Sequence, residues 1–345
     1  MKARLITIKL SILLLLTSIG FAQNNFETNV SKRGTVAAPF LTISQGARAT
    51  AMGSAFVAIA DDPSAVYWNP AGIARLDQNG IVFDHTEWIA DLKYNFGAGV
   101  IKAGSFGTLG VSFITSDYGE MNVTTIEEPN GTGETFSVRD IAFSIAWAIN
   151  LTEDFSIGFN PKVVYQSIWN MSDYAFAIDM GVLYDTPFKG ITLGMSITNF
   201  GSKMNLMGNT GVVLYDPDET TTGNNGRIPA ELQTDSWDLP MGFKVGIAYH
   251  AIDNEDHKLV LGIDASHPNN DYESLNIGGE YVFNGIFAIR GGYKSLLLQD
   301  SEESFTIGAG FRQNLVGNIN INFNYSYSDF GRLSEVQKFS IGVNF

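Results

Sequence analysis

The stretch "NINFNYSYSDF", residues 320–330, alternates strictly between two kinds of side chain. Ile321, Phe323, Tyr325 and Tyr327 are apolar, and Asn320, Asn322, Asn324 and Ser326 stand between them. Successive side chains of a strand point to opposite faces, so this segment has one apolar face and one polar face. Phe339, Ile341, Val343 and Phe345 repeat the pattern against Lys338, Ser340 and Asn344. The same period runs back through Phe305/Ile307/Phe311, Phe287/Ile289/Tyr293, Leu259/Leu261/Ile263 and Phe243/Val245/Ile247/Tyr249 to Tyr174–Tyr184. Earlier strands are expected near 80–88, 92–103, 106–117, 136–150 and 154–168. About 14 strands result, most of them long enough to cross a bilayer at a tilt.

Alternation also occurs in soluble sandwiches, and the connections decide between the two. Short turns alternate with links that include three long ones, roughly 117–135, 201–239 and 294–303, all on the same side of the sheet. Membrane barrels sort their connections in this way, with short periplasmic turns and long outer loops. Aromatics gather near expected strand ends, among them Trp88, Tyr94, Tyr118 and Trp169, as at a headgroup boundary. The expected fold is all-β: a transmembrane antiparallel barrel of about 14 strands over residues 79–345, placed in the outer membrane with lipid as its surroundings. Residues 1–22 read as a secretory signal peptide. Lys2, Arg4 and Lys9 precede the apolar "LSILLLLTSIGF", and Gly20 and Ala22 precede Gln23 as small cleavage-site residues. The formal charge is −15, and loss of those three cations takes it to −18, which excludes a nucleic-acid backbone as partner. The chain has no cysteine, so it has no disulfide, thiol nucleophile or Cys-ligated metal.

Residues 46–72, "GARATAMGSAFVAIADDPSAVYWNPAG", break the pattern. They are rich in small residues and poor in strand formers. Asp62 before Pro63 and Asn69 before Pro70 each fit an N-cap followed by proline at the first helical position. A 14-stranded barrel encloses more space than its own side chains fill. Residues 23–78 are therefore expected to form a plug with "DDPSAVYWNPAG" (61–72) as its stiff core. The motif Gly46, Arg48, Met52, Gly53, Asp61, Asp62, Tyr67, Trp68, Asn69, Pro70 and Gly72 closely resembles the N-terminal signature of the PorV/PorQ family of outer-membrane proteins, relatives of FadL-type channels. Ser54 stands where that pattern has Gly. The resemblance implies a FadL-like barrel that is accessory to type IX secretion. Its implied partners are secretion components and the C-terminal signal domains of client proteins, held at the outer face.

Little in the sequence points to catalysis. His85, His250, His257 and His267 show no metal spacing, and no cofactor is expected. The glycine pairs in "FGAGV" and "IGAGF" fall inside strands and are read as bends. Asp179, Lys244, Asp264, Glu280, Arg290 and Arg312 have the parity of lumen residues, either an ionic network holding the plug or a solute path. The long loop at 201–239 carries Met207, Leu214, Tyr215 and Trp237, more apolar groups than solubility needs, and is the expected partner-binding loop. Two functions remain open: a secretion-accessory barrel that binds clients, and a FadL-like channel for long-chain fatty acids or other hydrophobic small molecules. A channel should show an apolar pocket beside the plug and a lateral gap in the wall. The aromatic Phe345 on the last strand resembles a barrel-insertion signal. Deleting Phe345, or replacing it with Asp, should lower the amount of heat-modifiable barrel recovered from outer membranes; unchanged amounts would contradict that role.

Overall fold

The computed structural model describes residues 32–345 except 218–219, 221–226, 299–300, 316 and 318. The expected signal peptide and residues 23–31 of the expected plug lie outside the described residues. Fourteen strands close into one antiparallel ring. They are β1 (Gly80–Glu87), β2 (Lys93–Lys102), β3 (Thr108–Asp117), β4 (Thr135–Asn150), β5 (Phe155–Ile168), β6 (Met171–Asp185) and β7 (Ile191–Gly201). The second half is β8 (Gly242–Asp253), β9 (His257–Pro268), β10 (Ser274–Phe283), β11 (Phe287–Leu296), β12 (Phe305–Asn314), β13 (Asn320–Asp329) and β14 (Glu335–Asn344). Each strand pairs with its neighbours in sequence. β1 meets β14 in unbroken register from Gly80↔Asn344 to Glu87↔Gln337.

The alternation sets the two faces of this wall. Ile247, Ile263 and Ile277 are register partners across β8, β9 and β10, and all three are exposed on the outside. Ile289, Ile307, Phe323, Phe339, Phe143 and Val111 continue the exposed apolar surface around the ring. A surface this apolar is stable only against lipid. The inner positions are buried and small or polar, such as Ala146, Ala175, Ala248, Ser144 and Ser326. The long links 118–134, 202–241 and 297–304 share one end of the ring with four short ones, 88–92, 169–170, 269–273 and 330–334. Compact turns at 103–107, 151–154, 186–190, 254–256 and 284–286 occupy the other end.

The N-terminal segment lies within the ring and packs on both sides of it. Helix α1 (Ala47–Ala51) touches β11 to β14. Helix α2 (Ala65–Trp68) and the 3-10 turn Pro70–Arg75 touch β3, and that turn also packs on β4, β5 and β6. Tyr94, expected in the loop-side aromatic girdle, is instead buried inside the lumen, edge-on to Trp88 and Tyr118. Lys93 and Asn95 hold the outward positions of β2 at that height, so parity overrides the preference of tyrosine for the headgroup level.

Depth in the membrane should be legible in stability. Arg in place of Ile247, midway along β8, should cost about 2–4 kcal/mol, and Arg in place of Ile286, on a turn, about 0–1 kcal/mol. Urea unfolding in lipid vesicles measures both, and equal costs would contradict the facing described.

Candidate functional site

The plug segment is held first by its own caps. Asp62 Oδ1 accepts from Ser64 N at 2.9 Å, and Asn69 Oδ1 accepts from Ala71 N at 3.2 Å, as the Asp-Pro and Asn-Pro steps require. Asn69 does more, because its Nδ2 donates to Val57 O at 2.8 Å and to Val182 O of β6 at 3.0 Å. One side chain thus caps a turn, ties the segment to itself and pins it to the wall. Trp68 Nε1 donates to Gln45 O at 2.9 Å, and Tyr67 Oη donates to Ile43 O at 3.0 Å. Burial, with Asp179 and Glu303 adding to it, pushes the Tyr67 phenol well up, so it remains a donor. Gly53 has φ 63, and its N donates to Thr306 Oγ1 at 2.9 Å. Ser54, the departure from the PorV/PorQ pattern, keeps a left-handed φ of 64 and bonds Ser44 Oγ at 2.9 Å.

Charges of the inner wall complete the anchorage. Arg48 forms a bidentate pair with Glu280, Nη2–Oε1 2.7 Å and Nε–Oε2 2.9 Å, and also meets Asp61 at 2.5 Å and Asp62 at 3.1 Å. Burial opposes the charge of Arg48, but Asp61 and Glu280 override it and hold the guanidinium pKa well above its ordinary value. Arg290 Nε closes on the same Glu280 at 2.5 Å. Asp264 accepts from Phe56 N at 2.7 Å and Val57 N at 2.9 Å, and Ser340 Oγ accepts from Ala47 N at 2.8 Å. On the opposite wall Arg75 reaches Asp185 at 2.8 Å and Ser156 at 2.8 Å. Asp179 pairs with Lys162 at 2.7 Å and accepts from Asn199 N at 2.7 Å beside a register shift in the β6–β7 ladder. Of the six charged residues expected in the lumen, Glu280 and Asp264 hold the plug, Arg290 braces Glu280, Asp179 braces the wall, and Lys244 stands over Trp68 at the edge of the free space. Arg312 is exposed and donates to Asn322 at 2.8 Å.

Glycines let the plug approach this closely, a role the sequence reading missed. A Cβ on Gly278 of β10 would lie 2.0 Å from Met52 O, and one on Gly158 of β5 would lie 2.3 Å from Pro70 C. Gly181, Gly194 and Gly292 meet the plug backbone or Asn69 in the same way. Of the "FGAGV" and "IGAGF" glycines, Gly308 makes such an approach, Gly310 meets the Arg290 and Asn324 side chains, Gly97 has the outward parity and Gly99 makes only ordinary contacts. Gly97 lies under the Phe113 ring and Gly308 against Ala51, and their ladders run without register shift. An inward glycine on strand after strand was the signal available.

The remaining lumen is divided. Phe40, Leu41 and Ile43 fill its apolar part against Phe96, Ile114 and Val164. The apolar pocket expected of a channel is therefore occupied by the chain itself. The free space is a polar chamber of about 330 Å³ open toward the loop end, lined among others by Lys162, Lys244, Lys294, Asn199, Ser266 and Asn276. The wall does have an interruption. The β3–β4 ladder stops at Thr115↔Ile141 and resumes only at Glu120↔Ser137, beyond β3. Ser116 Oγ there replaces a backbone partner for Asp140 N at 2.9 Å, and a second cavity of about 330 Å³ opens beside it. Tyr118 hydrogen-bonds to Asp140 across the break.

The expected partner loop is split between two places. Met207 pairs with Ser172 at the end of β6, and Trp237 lies in the isolated bridge with Met204, both at the base of the link. Leu214 and Tyr215 lie farther out on a two-stranded ribbon, Val212–Tyr215 with Ile228–Glu231, where both are more than half exposed. Phe345 is half exposed, and its N donates to Asn79 O at 2.9 Å beside β1. Among the described residues no group of three or more His, Asp or Glu could hold a metal.

A family model described as Uncharacterised protein family (UPF0164) matches residues 17–199, more than half of the chain. The chain belongs to UPF0164. No curated protein matches it. Among solved structures this UPF0164 chain is similar to a Pseudomonas aeruginosa FadL homologue, with 14% identity, 85% of this chain and 96% of that one covered, and a TM-score of 0.52. It is also similar to the Pseudomonas putida toluene transporter TodX, at 14% identity, 87% and 96% coverage and a TM-score of 0.55. The Ralstonia pickettii toluene transporter TbuX gives 14%, 87% and 97%, and 0.53. These likenesses concern the fold, that of a FadL-like outer-membrane β-barrel.

The glycine contacts are open to a direct test. Gly278→Val should leave the barrel inserted and heat-modifiable, because the ladder is untouched, while unseating Met52. Ion conductance in planar bilayers should then rise above the wild-type level, and an unchanged conductance would contradict tight seating.

Proposed function

We propose that this UPF0164 chain is a plugged outer-membrane channel for small organic molecules. The observation that carries the reading is the free chamber above an anchored plug, in the same lumen as an interrupted stretch of wall. Solutes enter the chamber from the loop end. An apolar solute, of the kind named for the structurally similar toluene transporters, takes the place of Phe40 and Leu41 on its way to the β3–β4 break. The main chain before these residues is lightly tied, by Ala37 N to Asp238 O at 2.9 Å and Ala38 N to Gln166 Oε1 at 3.2 Å. Residues 23–78 act in this reading as the hatch that makes the axial route impassable.

A second reading, the PorV/PorQ-type accessory to type IX secretion, is favoured by the motif at 46–72 and by the exposed ribbon carrying Leu214 and Tyr215. In that reading the ribbon and the loop base hold clients by their signal domains.

The two readings separate experimentally. Phe40→Ala combined with Leu41→Ala should raise toluene uptake into proteoliposomes several-fold over wild type. Replacing 212–231 by a Gly-Ser turn should leave that uptake unchanged. If uptake responds to neither change while the trimmed protein loses secreted cargo from the cell surface, the channel reading fails and the secretion reading stands.

A further inference from the structure

Plug helix α1 carries a hydroxyl that meets nothing. Thr50 is 4% exposed, and its Oγ1 has no hydrogen-bond partner among the described residues. Ser328 of β13 is equally buried, and its Oγ is likewise unpartnered. Lys338 of β14 is 1% exposed. An ammonium has three N–H donors. That of Lys338 donates to Ser44 O and stands 5.9 Å over the Trp88 ring, which leaves two N–H groups without an acceptor among the described residues.

These three groups line one small void of about 10 Å³ between the plug and the wall. The other polar side chains around it are occupied. Ser304 Oγ donates to Asp329 Oδ2 at 2.5 Å, Thr306 Oγ1 donates to Ala51 O at 3.0 Å, and Lys294 pairs with Glu303 at 2.6 Å. Trp88, Phe330 and Val336 supply an apolar side. The charges of the lining balance, Lys294 and Lys338 against Glu303 and Asp329. The void therefore suits a neutral occupant that both donates and accepts. Buried polar groups of this kind are rarely left unmatched.

We infer that Lys338, Thr50 and Ser328 hold a single structural water that joins the plug to β13 and β14. One water needs a void of about 10–15 Å³ and typically makes about three hydrogen bonds, so both the volume and the partners agree. The water accepts from Lys338 Nζ and donates to Thr50 Oγ1 and Ser328 Oγ. All three groups are then matched with no charge added, and a bridging water of this kind is nearly as good as a direct hydrogen bond. Ser44, Lys294 and Glu303 line both this void and the larger chamber, so the water lies next to the free space and reaches its place from there. The site belongs to the anchorage of the plug and depends on neither function proposed above.

A crystal structure of the full-length barrel, at a resolution that shows ordered water, should place one peak within hydrogen-bond distance of Lys338 Nζ, Thr50 Oγ1 and Ser328 Oγ. A stability cycle reads the same site in lipid vesicles. Thr50→Val and Ser328→Ala should each lower the urea midpoint, and the double variant should lose little more than the larger single loss, because both changes act on one water. Ser196→Ala removes a hydroxyl that is also buried and unpartnered, but on β7 across the ring, and its loss should add in full to that of Thr50→Val. An empty void, density that refines as an ion, or full additivity of Thr50→Val with Ser328→Ala would overturn the inference. The wild-type crystal structure decides the matter even where a variant fails to insert.

Discussion

A ring of fourteen strands is too wide for its own side chains to fill, and the rest of this structure follows from that constraint. The missing volume comes from the N-terminal segment, and a segment that fills a tube has to touch it on all sides. It touches by backbone as well as by side chain. Inward glycines of β5, β6, β7, β10 and β11 admit main-chain atoms or Asn69 to distances no Cβ would allow. The polar groups of the irregular segment then find partners in the wall: Asp264 for Phe56 and Val57, Thr306 for Gly53, Ser340 for Ala47. Buried backbone without such partners would cost more than the filling gains.

The filled lumen is chemically lopsided. One side, around β2 to β6, presents Phe96, Ile114, Val164 and small alanines, and receives Phe40, Leu41 and Ile43. The other, around β8 to β14, presents Asp264, Glu280, Arg290, Lys294 and Lys338, and receives Arg48 and the amides of the plug. An ion group such as Arg48–Glu280–Arg290 adds little net stability once desolvation is counted, but removing one member strands the others. Its contribution is to fix one orientation of the plug. The space left over lies where the ionic side meets the loops, so it inherits the polarity of that side.

Much of this was legible in the sequence. Strict alternation at positions such as Ile321–Tyr327 placed the strands, because lipid outside and protein inside leave no other arrangement of the two faces. The proline-flanked Asp62 and Asn69 marked the capped turns. Other features were out of reach. Tyr94 carries the composition of a girdle residue, and only its register beside Trp88 and Tyr118 turns it inward. Gly278, Gly181 and Gly158 gave no signal of their own because their neighbours, Met52, Asn69 and Pro70, lie far away in sequence. Met207 and Trp237 shared a loop with Leu214 and Tyr215 in sequence, but pairing with β6 and Met204 draws them to its base.

The seam between β1 and β14 bears on how such a molecule can be assembled. The plug is bonded to β14 through Ser340 and to β6 through Asn69, and the two strands lie far apart around the wall. Once the seam has zipped from Gly80↔Asn344 to Glu87↔Gln337, the glycine-lined interior leaves no passage wide enough for a folded segment to enter sideways. A segment tied to β14 on one side and to β6 on the other spans the ring from within, so each of those strands holds it against movement toward the other. The seam and the plug therefore share one load: the ladder that closes the ring also fixes the distance between the two walls that the plug bridges.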